Sequence, residues 1–159
     1  MSLICEMKAY AEREGLPILR DSEVSLFERI IANQRPVKVL EIGTCIGYSA
    51  FAWHLFSAMA VRLRPSNLMK GVAKGPGLID RSPYKGVITA LLGDGTELSG
   101  SLSGPWDLVF LDGPKGQYVR QLRQLMPKLL PGALIMADNI GYHEMFYIEG
   151  HLPHKHRTP

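Results

Sequence analysis

Short apolar segments that each end in glycine or a carboxylate most restrict how this chain can fold. Four segments rich in β-branched and other apolar residues cover 37–43, 87–92, 106–111 and 133–137, and they end at Gly43, Asp94, Asp112 and Asp138. Stretches with helical apolar spacing alternate with them. This alternation predicts an α/β fold with a mostly parallel sheet, strands buried on both faces, and helices on both sides.

The helical stretches divide the chain into an N-terminal pair and a core. We predict helices over residues 2–13, from a cap at Asp21 or Ser22 to just before Pro36, over about 48–59 and over about 117–130. Gly15 and the Pro131-Gly132 pair are their stop signals. The whole chain, 1–159, is predicted to form one domain, with N-terminal helices in 1–35 and the α/β core in 36–159.

Composition excludes several protein classes. The chain of 159 residues is 46% hydrophobic and 21% charged, which is ordinary for a globular domain. No apolar run reaches the roughly 18 residues that span a bilayer, and the N-terminus lacks a signal-peptide pattern. Cys5 and Cys45 have no metal-ligand spacing and are interpreted as free thiols. We therefore expect a cytoplasmic protein without a membrane segment.

The positive charge is localised. The net charge is +3, but residues 51–79 hold four basic residues and no acidic one, whereas the rest of the chain has 14 basic and 15 acidic residues. A basic face for nucleic acid is therefore not evident from the sequence.

Acidic residues at the ends of separate strands point to a ligand site. Ligands of open parallel sheets bind outside the carboxyl ends of the strands. Asp94, Asp112 and Asp138 should therefore converge there. Any single aspartate at such a position can instead be a turn former or a helix cap, but the recurrence favours a functional site.

The turn after the first strand resembles a nucleotide-binding loop in outline only. Glu41 to Ser49 combine a strand end, two glycines four residues apart and a helix start. The stretch is neither the Gly-x-Gly-x-x-Gly fingerprint nor a P-loop. It has no lysine or arginine to meet phosphate, which favours a nucleoside ligand without a phosphate chain, such as S-adenosylmethionine. Glu41 could attract the cationic sulfonium side of that cofactor.

Oxygen ligands follow the last two strands. Asp112, Asp138 and Asn139 offer two carboxylates and an amide, a set that suits Mg²⁺, Mn²⁺ or Ca²⁺ rather than zinc. Lys115 stands three residues after Asp112, and a lysine beside a metal can act as a base. Alone, Lys115 would be interpreted as a solvated surface lysine.

Taken together, these motifs resemble the metal-dependent O-methyltransferase family of catechol and caffeoyl-CoA methyltransferases. The nearest likeness is to its bacterial branch, which includes tRNA 5-hydroxyuridine methyltransferases. The matching stretches are 7–11, 16–19, 41–44, 47–49, 93–95, 110–118 and 138–139, so the resemblance covers about 1–50 and 80–158.

The resemblance implies a Rossmann-like, S-adenosylmethionine-dependent methyltransferase fold that is C-terminally truncated relative to the family. It implies a cofactor site formed by Glu41, Gly43, Tyr48, Ser49, Asp94, Gly95 and Asp112. It also implies metal ligation by Asp112, Asp138 and Asn139, and catalysis by Lys115 together with Asp112. The implied reaction is in-line attack of an acceptor hydroxyl on the sulfonium methyl group.

Two regions depart from the family pattern. Residues 51–79 should hold a second strand that ends in an acid for the cofactor ribose, yet Ser66 and Asn67 stand near that place. Either a local frameshift or a divergent loop explains this. The family also continues with an antiparallel strand pair, without which a sheet edge is left uncovered. Because the acid expected to bind the cofactor ribose is missing, we also expect weak affinity for S-adenosylmethionine.

Three functional interpretations remain open from the sequence. The first is methylation of a tRNA wobble hydroxyuridine, and the second is the same chemistry on a small catechol-like or hydroxycinnamoyl phenol. The third is a degenerate, non-catalytic relative. His143, Glu144 and Met145 lie where an acceptor-side loop is expected, without deciding the acceptor. A homodimer that uses the N-terminal helices is expected from the resemblance.

Overall fold

A computed structural model describes residues 2–52, the backbone of 58–63, and residues 86–140. Within these ranges the helices are α1 (Leu3–Glu14), α2 (Asp21–Gln34), α3 (Tyr48–Ala52), α4 (Gly95–Ser101) and α5 (Tyr118–Leu125). The strands are β1 (Val39–Ile42), β2 (Ala58–Leu63), β3 (Ile88–Gly93), β4 (Trp106–Leu111) and β5 (Leu129–Ala137).

The described strands form one parallel sheet in the order β3-β2-β1-β4-β5. All four pairings are parallel, and Glu41 of β1 lies opposite Phe110 of β4. The predicted α/β fold is therefore confirmed. Because β1 and β4 are central neighbours, their carboxyl ends bring the glycine turn and Asp112 together.

Two apolar layers cover the sheet, one on each face. Side chains alternate between faces along a strand. Accordingly Val39 packs in a cluster with α1, α2 and α3, whereas Leu40 packs with α5 on the other face. By the same alternation Glu41 belongs to the face that α3 covers, which explains its fully buried position.

The N-terminal helices follow the predicted bounds closely. Ser2 caps α1, and Gly15 ends it in a left-handed conformation at φ 62°. The prediction that Asp21 or Ser22 caps α2 is wrong. Asp21 is already helical, and Arg20 is the capping residue, because Glu23 accepts a hydrogen bond from the Arg20 backbone N–H at 2.7 Å.

Two predicted helices are too long. The third helix is described only over Tyr48–Ala52, and Ala58–Leu63 form a strand, so a helix reaching residue 59 is wrong and the region 51–79 does contain a strand. The helix predicted over about 117–130 corresponds to α5, which is α-helical only at Tyr118–Leu125 and has a short 3-10 turn on each side. Residues 129–130, which the apolar spacing placed in that helix, belong to β5 because pairing with β4 outweighs the spacing. The strand predicted over 133–137 is confirmed. Ser66 and Asn67 lie outside the described residues.

Strand β5 lies at the edge of the described sheet. Leu130 is 41% exposed and Ile135 is 37% exposed, so this strand is less covered than its neighbour β4. Among the described helices, none is long and apolar enough to cross a membrane.

Candidate active site

Gly43, directly after β1, lets two strand ends approach closely. It has φ 109°, and a Cβ atom built on it would lie 2.3 Å from the backbone oxygen of Asp112. A residue with a side chain would be strained at this φ and would collide with Asp112, so only glycine fits this position. The glycine that we predicted for a cofactor loop is thus already required by the packing of the β1 turn against the β4 turn.

Glu41 is a completely buried carboxylic acid beside this turn. Its Oε1 accepts a hydrogen bond from the hydroxyl of Ser49 in α3, and its Oε2 has no hydrogen-bond partner among the described residues. Burial raises the pKa of Glu41 to about 7, and the side chains of Ser49 and Thr44 oppose this only in part. An unpaired buried oxygen is costly, so it marks a place where a ligand donor or cation would be stabilised.

Asp112 and Asp138 bring their carboxyl groups together at the ends of β4 and β5. The pKa of Asp112 is raised to about 8, chiefly by burial and then by the negative charges of Asp138 and Glu41. The side-chain amide of Asn139 donates a hydrogen bond to Asp138. The three residues that we predicted as metal ligands therefore lie side by side.

Lys115 and Tyr118 complete this part of the site. The ammonium group of Lys115 lies 3.9 Å from Oδ1 of Asp112 and 5.7 Å from the centre of the Tyr118 ring. The Tyr118 hydroxyl lies 2.8 Å from the carbonyl oxygen of Leu111 and 3.3 Å from that of Asp138. Burial raises the pKa of Tyr118, so this hydroxyl keeps its proton and remains a donor.

A cleft of about 520 Å³ opens over these groups. Strand-end residues form one wall, and the linker between α1 and α2 forms the other. The lining residues are Pro17, Ile18, Leu19, Arg20, Glu23, Gly43, Cys45, Asp112, Gly113, Pro114, Lys115, Asp138 and Asn139. Sequence reasoning missed the linker wall. Its one signal was the stretch 16–19, which resembles the O-methyltransferase family but carries no predicted site residue.

The other predicted cofactor residues lie away from this cleft lining. Asp94 caps α4, since its Oδ1 accepts hydrogen bonds from the backbone N–H groups of Thr96 at 2.8 Å and Glu97 at 3.0 Å. Gly95 is buried as the first residue of α4. Tyr48 is 2% exposed within the core cluster under α1. Their contact with a cofactor stays a prediction, and His143, Glu144 and Met145 lie outside the described residues.

The donor set suits a hard divalent cation. Two carboxylates and an amide provide oxygen ligands, and magnesium commonly completes its coordination with water. Among the described residues no group of three or more histidine, cysteine, aspartate or glutamate side chains lies together. A third protein ligand would therefore have to be an amide or hydroxyl, and Asn139 supplies the amide.

Known proteins of similar sequence and structure are O-methyltransferases. The chain is 26% identical to a curated Mycobacterium tuberculosis protein named "Probable O-methyltransferase", in a match that covers 81% of this chain and 60% of that protein. The chain thus spans less than two thirds of that relative's length. No protein-family model matches the chain.

Solved structures agree on the fold. The O-methyltransferase TomG of Streptomyces achromogenes, solved with S-adenosylmethionine, superposes with a TM-score of 0.78 at 17% identity, covering 95% of this chain and 71% of TomG. A Bacillus cereus O-methyltransferase, solved with S-adenosylhomocysteine, gives 0.70 at 22% identity, with coverages of 89% and 68%. The chain has the Rossmann-like fold of these methyltransferases.

Proposed function

We propose that the chain is an S-adenosylmethionine-dependent O-methyltransferase whose reaction is assisted by a divalent cation. One observation carries the proposal. Asp112, Lys115, Asp138 and Asn139 come from separate strand ends and line one cleft. A folded core gains nothing from two carboxyl groups that face each other, so a bound cation is the best explanation for their arrangement.

The buried carboxyl group of Glu41 favours binding of a cationic cofactor beside the cleft. Its buried carboxyl has an unpaired oxygen, and a positive sulfonium nearby would favour the ionised form. The bound cofactor would thereby remove an energetic cost that the unbound chain carries. The resemblance assigns the same region to S-adenosylmethionine, and two structural neighbours were solved with that cofactor or its product.

Asp112, Asp138 and Asn139 would hold the cation, and Lys115 would handle the acceptor proton. A divalent cation in such a site lowers the pKa of a bound hydroxyl and neutralises nearby charge. The Lys115 ammonium group, 3.9 Å from Asp112, lies where it can orient the acceptor oxygen or exchange a proton with it. Holding both reactants in one cleft supplies the proximity that methyl transfer needs.

The size of the cleft favours a small acceptor. Its volume of about 520 Å³ is within the range of small-molecule sites, and Ile18 and Pro114 give it apolar walls. We therefore place a catechol-like or hydroxycinnamoyl phenol first. TomG, which is involved in tomaymycin synthesis, is consistent with a small acceptor. The tRNA 5-hydroxyuridine acceptor, suggested by the resemblance to the bacterial branch, is the second candidate.

A single assay separates these candidates. Labelled S-adenosylmethionine and Mg²⁺ are offered with a catechol and, in parallel, with bulk tRNA. We expect label transfer to the catechol, and loss of transfer in Asp112→Ala and Lys115→Ala. Transfer to tRNA alone would select the second acceptor. Absence of transfer to either, together with absence of cofactor binding by calorimetry, would indicate a degenerate, non-catalytic chain.

We also propose that the chain pairs with a second copy through its N-terminal helices, and that it acts in the cytoplasm. Helix α2 has no fully buried residue although its inner face is apolar, and Leu26 is 44% exposed. Covering this helix would bury further apolar surface.

Light scattering tests the proposed dimer. The measured mass should be twice the chain mass, and Leu26→Glu should lower the measured mass toward that of the monomer.

A further inference from the structure

Arg20 occupies the mouth of the cleft without a role in the reaction proposed above. It is the last residue of the linker before α2, and its side chain is 79% exposed. The cleft lining has two cations, Arg20 and Lys115, and three carboxylates, Glu23, Asp112 and Asp138. Lys115 lies 3.9 Å from Asp112, whereas Arg20 belongs to the wall formed by the linker between α1 and α2.

Glu23 holds the Arg20 side chain in place. The Nε and Nη2 atoms of Arg20 both donate to Oε1 of Glu23, with an Nε distance of 2.9 Å. A guanidinium group carries five N–H donors in a fixed plane. In the described part of the chain Glu23 occupies two of them, and the remaining donors form a fork that matches a carboxylate or a phosphate.

Arg20 shares the cleft with the groups proposed to take part in the reaction. Arg20, Asp112 and Asp138 all line it. An acceptor whose hydroxyl sits near Asp112 and Asp138 would therefore extend its far substituent toward Arg20. A negative substituent would be attracted there, whereas a neutral one would gain nothing from the charge.

We propose that Arg20 is a specificity-determining residue that binds an anionic group, a carboxylate or a phosphate, on the methyl acceptor. This inference rests on the proposed function. The anion could belong to a phenolic acid or to the phosphate of a nucleotide. In both cases Arg20 binds the substituent and takes no part in the transfer step.

The alternative is that Arg20 only begins α2. That role depends largely on the backbone, because the Arg20 backbone N–H donates a hydrogen bond to Oε2 of Glu23 at 2.7 Å. Every substitution other than proline keeps this hydrogen bond. The side chain can therefore be changed while the helix start is kept.

Arg20→Gln removes the positive charge, and Arg20→Lys keeps the charge without the pair of parallel N–H donors. Arg13→Gln is the matched control, since Arg13 is exposed, pairs with Glu14 and does not line the cleft.

Equilibrium binding tests the inference independently of turnover. Calorimetric titrations with Mg²⁺ and S-adenosylhomocysteine compare 3,4-dihydroxybenzoate with catechol, and 5-hydroxyuridine 5′-monophosphate with 5-hydroxyuridine. We expect the native chain to bind one anionic ligand about tenfold more tightly than its neutral partner. Arg20→Gln should lose that preference, Arg20→Lys should keep part of it, and Arg13→Gln should keep all of it. The pair that shows the preference identifies the source of the anion.

Other outcomes separate the two proposals. If the native chain binds both members of each pair equally, or if Arg20→Gln keeps the native preference while its thermal unfolding is unchanged, the assignment of Arg20 is overturned. Methylation of catechol would still stand in that case. Conversely, an Arg20-dependent preference without methyl transfer to any acceptor would contradict the proposed function and leave the anion site intact.

Discussion

Asp94 and Asp112 occupy equivalent places in the sequence pattern and different ones in the structure. Each directly follows a parallel strand. Asp94 accepts two backbone N–H groups of α4 and so caps that helix. Asp112 faces another carboxyl group and an ammonium group, and its pKa is raised to about 8, first by burial. A strand-end carboxylate is therefore structural or functional according to the groups it faces, which its position alone does not reveal.

The largest effect expected from this contrast is the loss of methyl transfer in Asp112→Asn. Replacing a charged carboxylate ligand of the cation by a neutral amide should lower the rate by about 1,000-fold, or roughly 4 kcal/mol of barrier. The free energy of unfolding should not fall, because an amide does not repel Asp138. Rates from a labelled-cofactor assay and urea denaturation of the same preparation check both parts. A variant that keeps its rate would place Asp112 in the same structural class as Asp94.

Gly43→Ala tests whether the close approach of the β1 turn to the backbone of Asp112 contributes to stability. The new Cβ atom would collide with the Asp112 carbonyl oxygen at a positive φ, which should destabilise the chain by about 3 kcal/mol. Gly15→Ala is the control, since Gly15 also has a positive φ but has nothing within 4 Å of an added Cβ. We expect about 1 kcal/mol there. Equal losses by urea denaturation would show that the close approach of the two turns does not matter.

Glu41 should make the free energy of unfolding fall as the pH rises. Its pKa is raised to about 7 by burial, so the folded chain holds this proton more tightly than the unfolded chain does. Its contribution is present below the unfolded pKa of about 4.5 and is lost as pH rises to about 7, a change of roughly 3 kcal/mol.

The measurement is the difference in unfolding free energy between the native chain and Glu41→Gln, followed from pH 4.5 to pH 8. It should shift in favour of the variant as the pH rises. Glu12→Gln, at an exposed position of α1, should show no such trend. A flat difference for Glu41→Gln would mean that the carboxyl is not buried in the folded chain.

The smallest effect concerns Asp94 itself. Asp94→Ala removes an N-cap and should cost about 1 kcal/mol of stability, whereas Asp94→Asn should be close to neutral because asparagine caps equally well. Thermal unfolding of the two variants is sufficient to check this. If both variants are equally stable, the cap contributes nothing and Asp94 must be explained by ligand binding alone.

The sequence predicted the architecture well because the pattern of strands reflects burial. Strands β1 and β4 lie buried between two helical layers, so most of their residues are apolar and their ends are clear. Helix α4 was missed because seven residues with two glycines give little periodicity. The extended segment 129–137 was partly misread as helix, since leucines at helical spacing do not reveal a neighbouring strand.

The candidate site was predicted in part. Asp112, Lys115, Asp138 and Asn139 were identified because they follow strands that end at one edge. Arg20 could not be found in this way, because the linker meets the strand ends only through the packing of α1 and α2 on the sheet. Likewise, the capping function of Asp94 depends on where α4 begins, and a sequence pattern does not fix that point to within one residue.

Tyr118 has a consequence for the unbound chain. Its hydroxyl lies within hydrogen-bonding distance of carbonyl oxygens in both the β4 and the β5 turns. When both Asp112 and Asp138 are ionised, their like charges favour separation of these turns. The Tyr118 hydroxyl therefore limits how far these two strand ends can separate. A cation would bind to ligands that are already close together, with little rearrangement of the backbone.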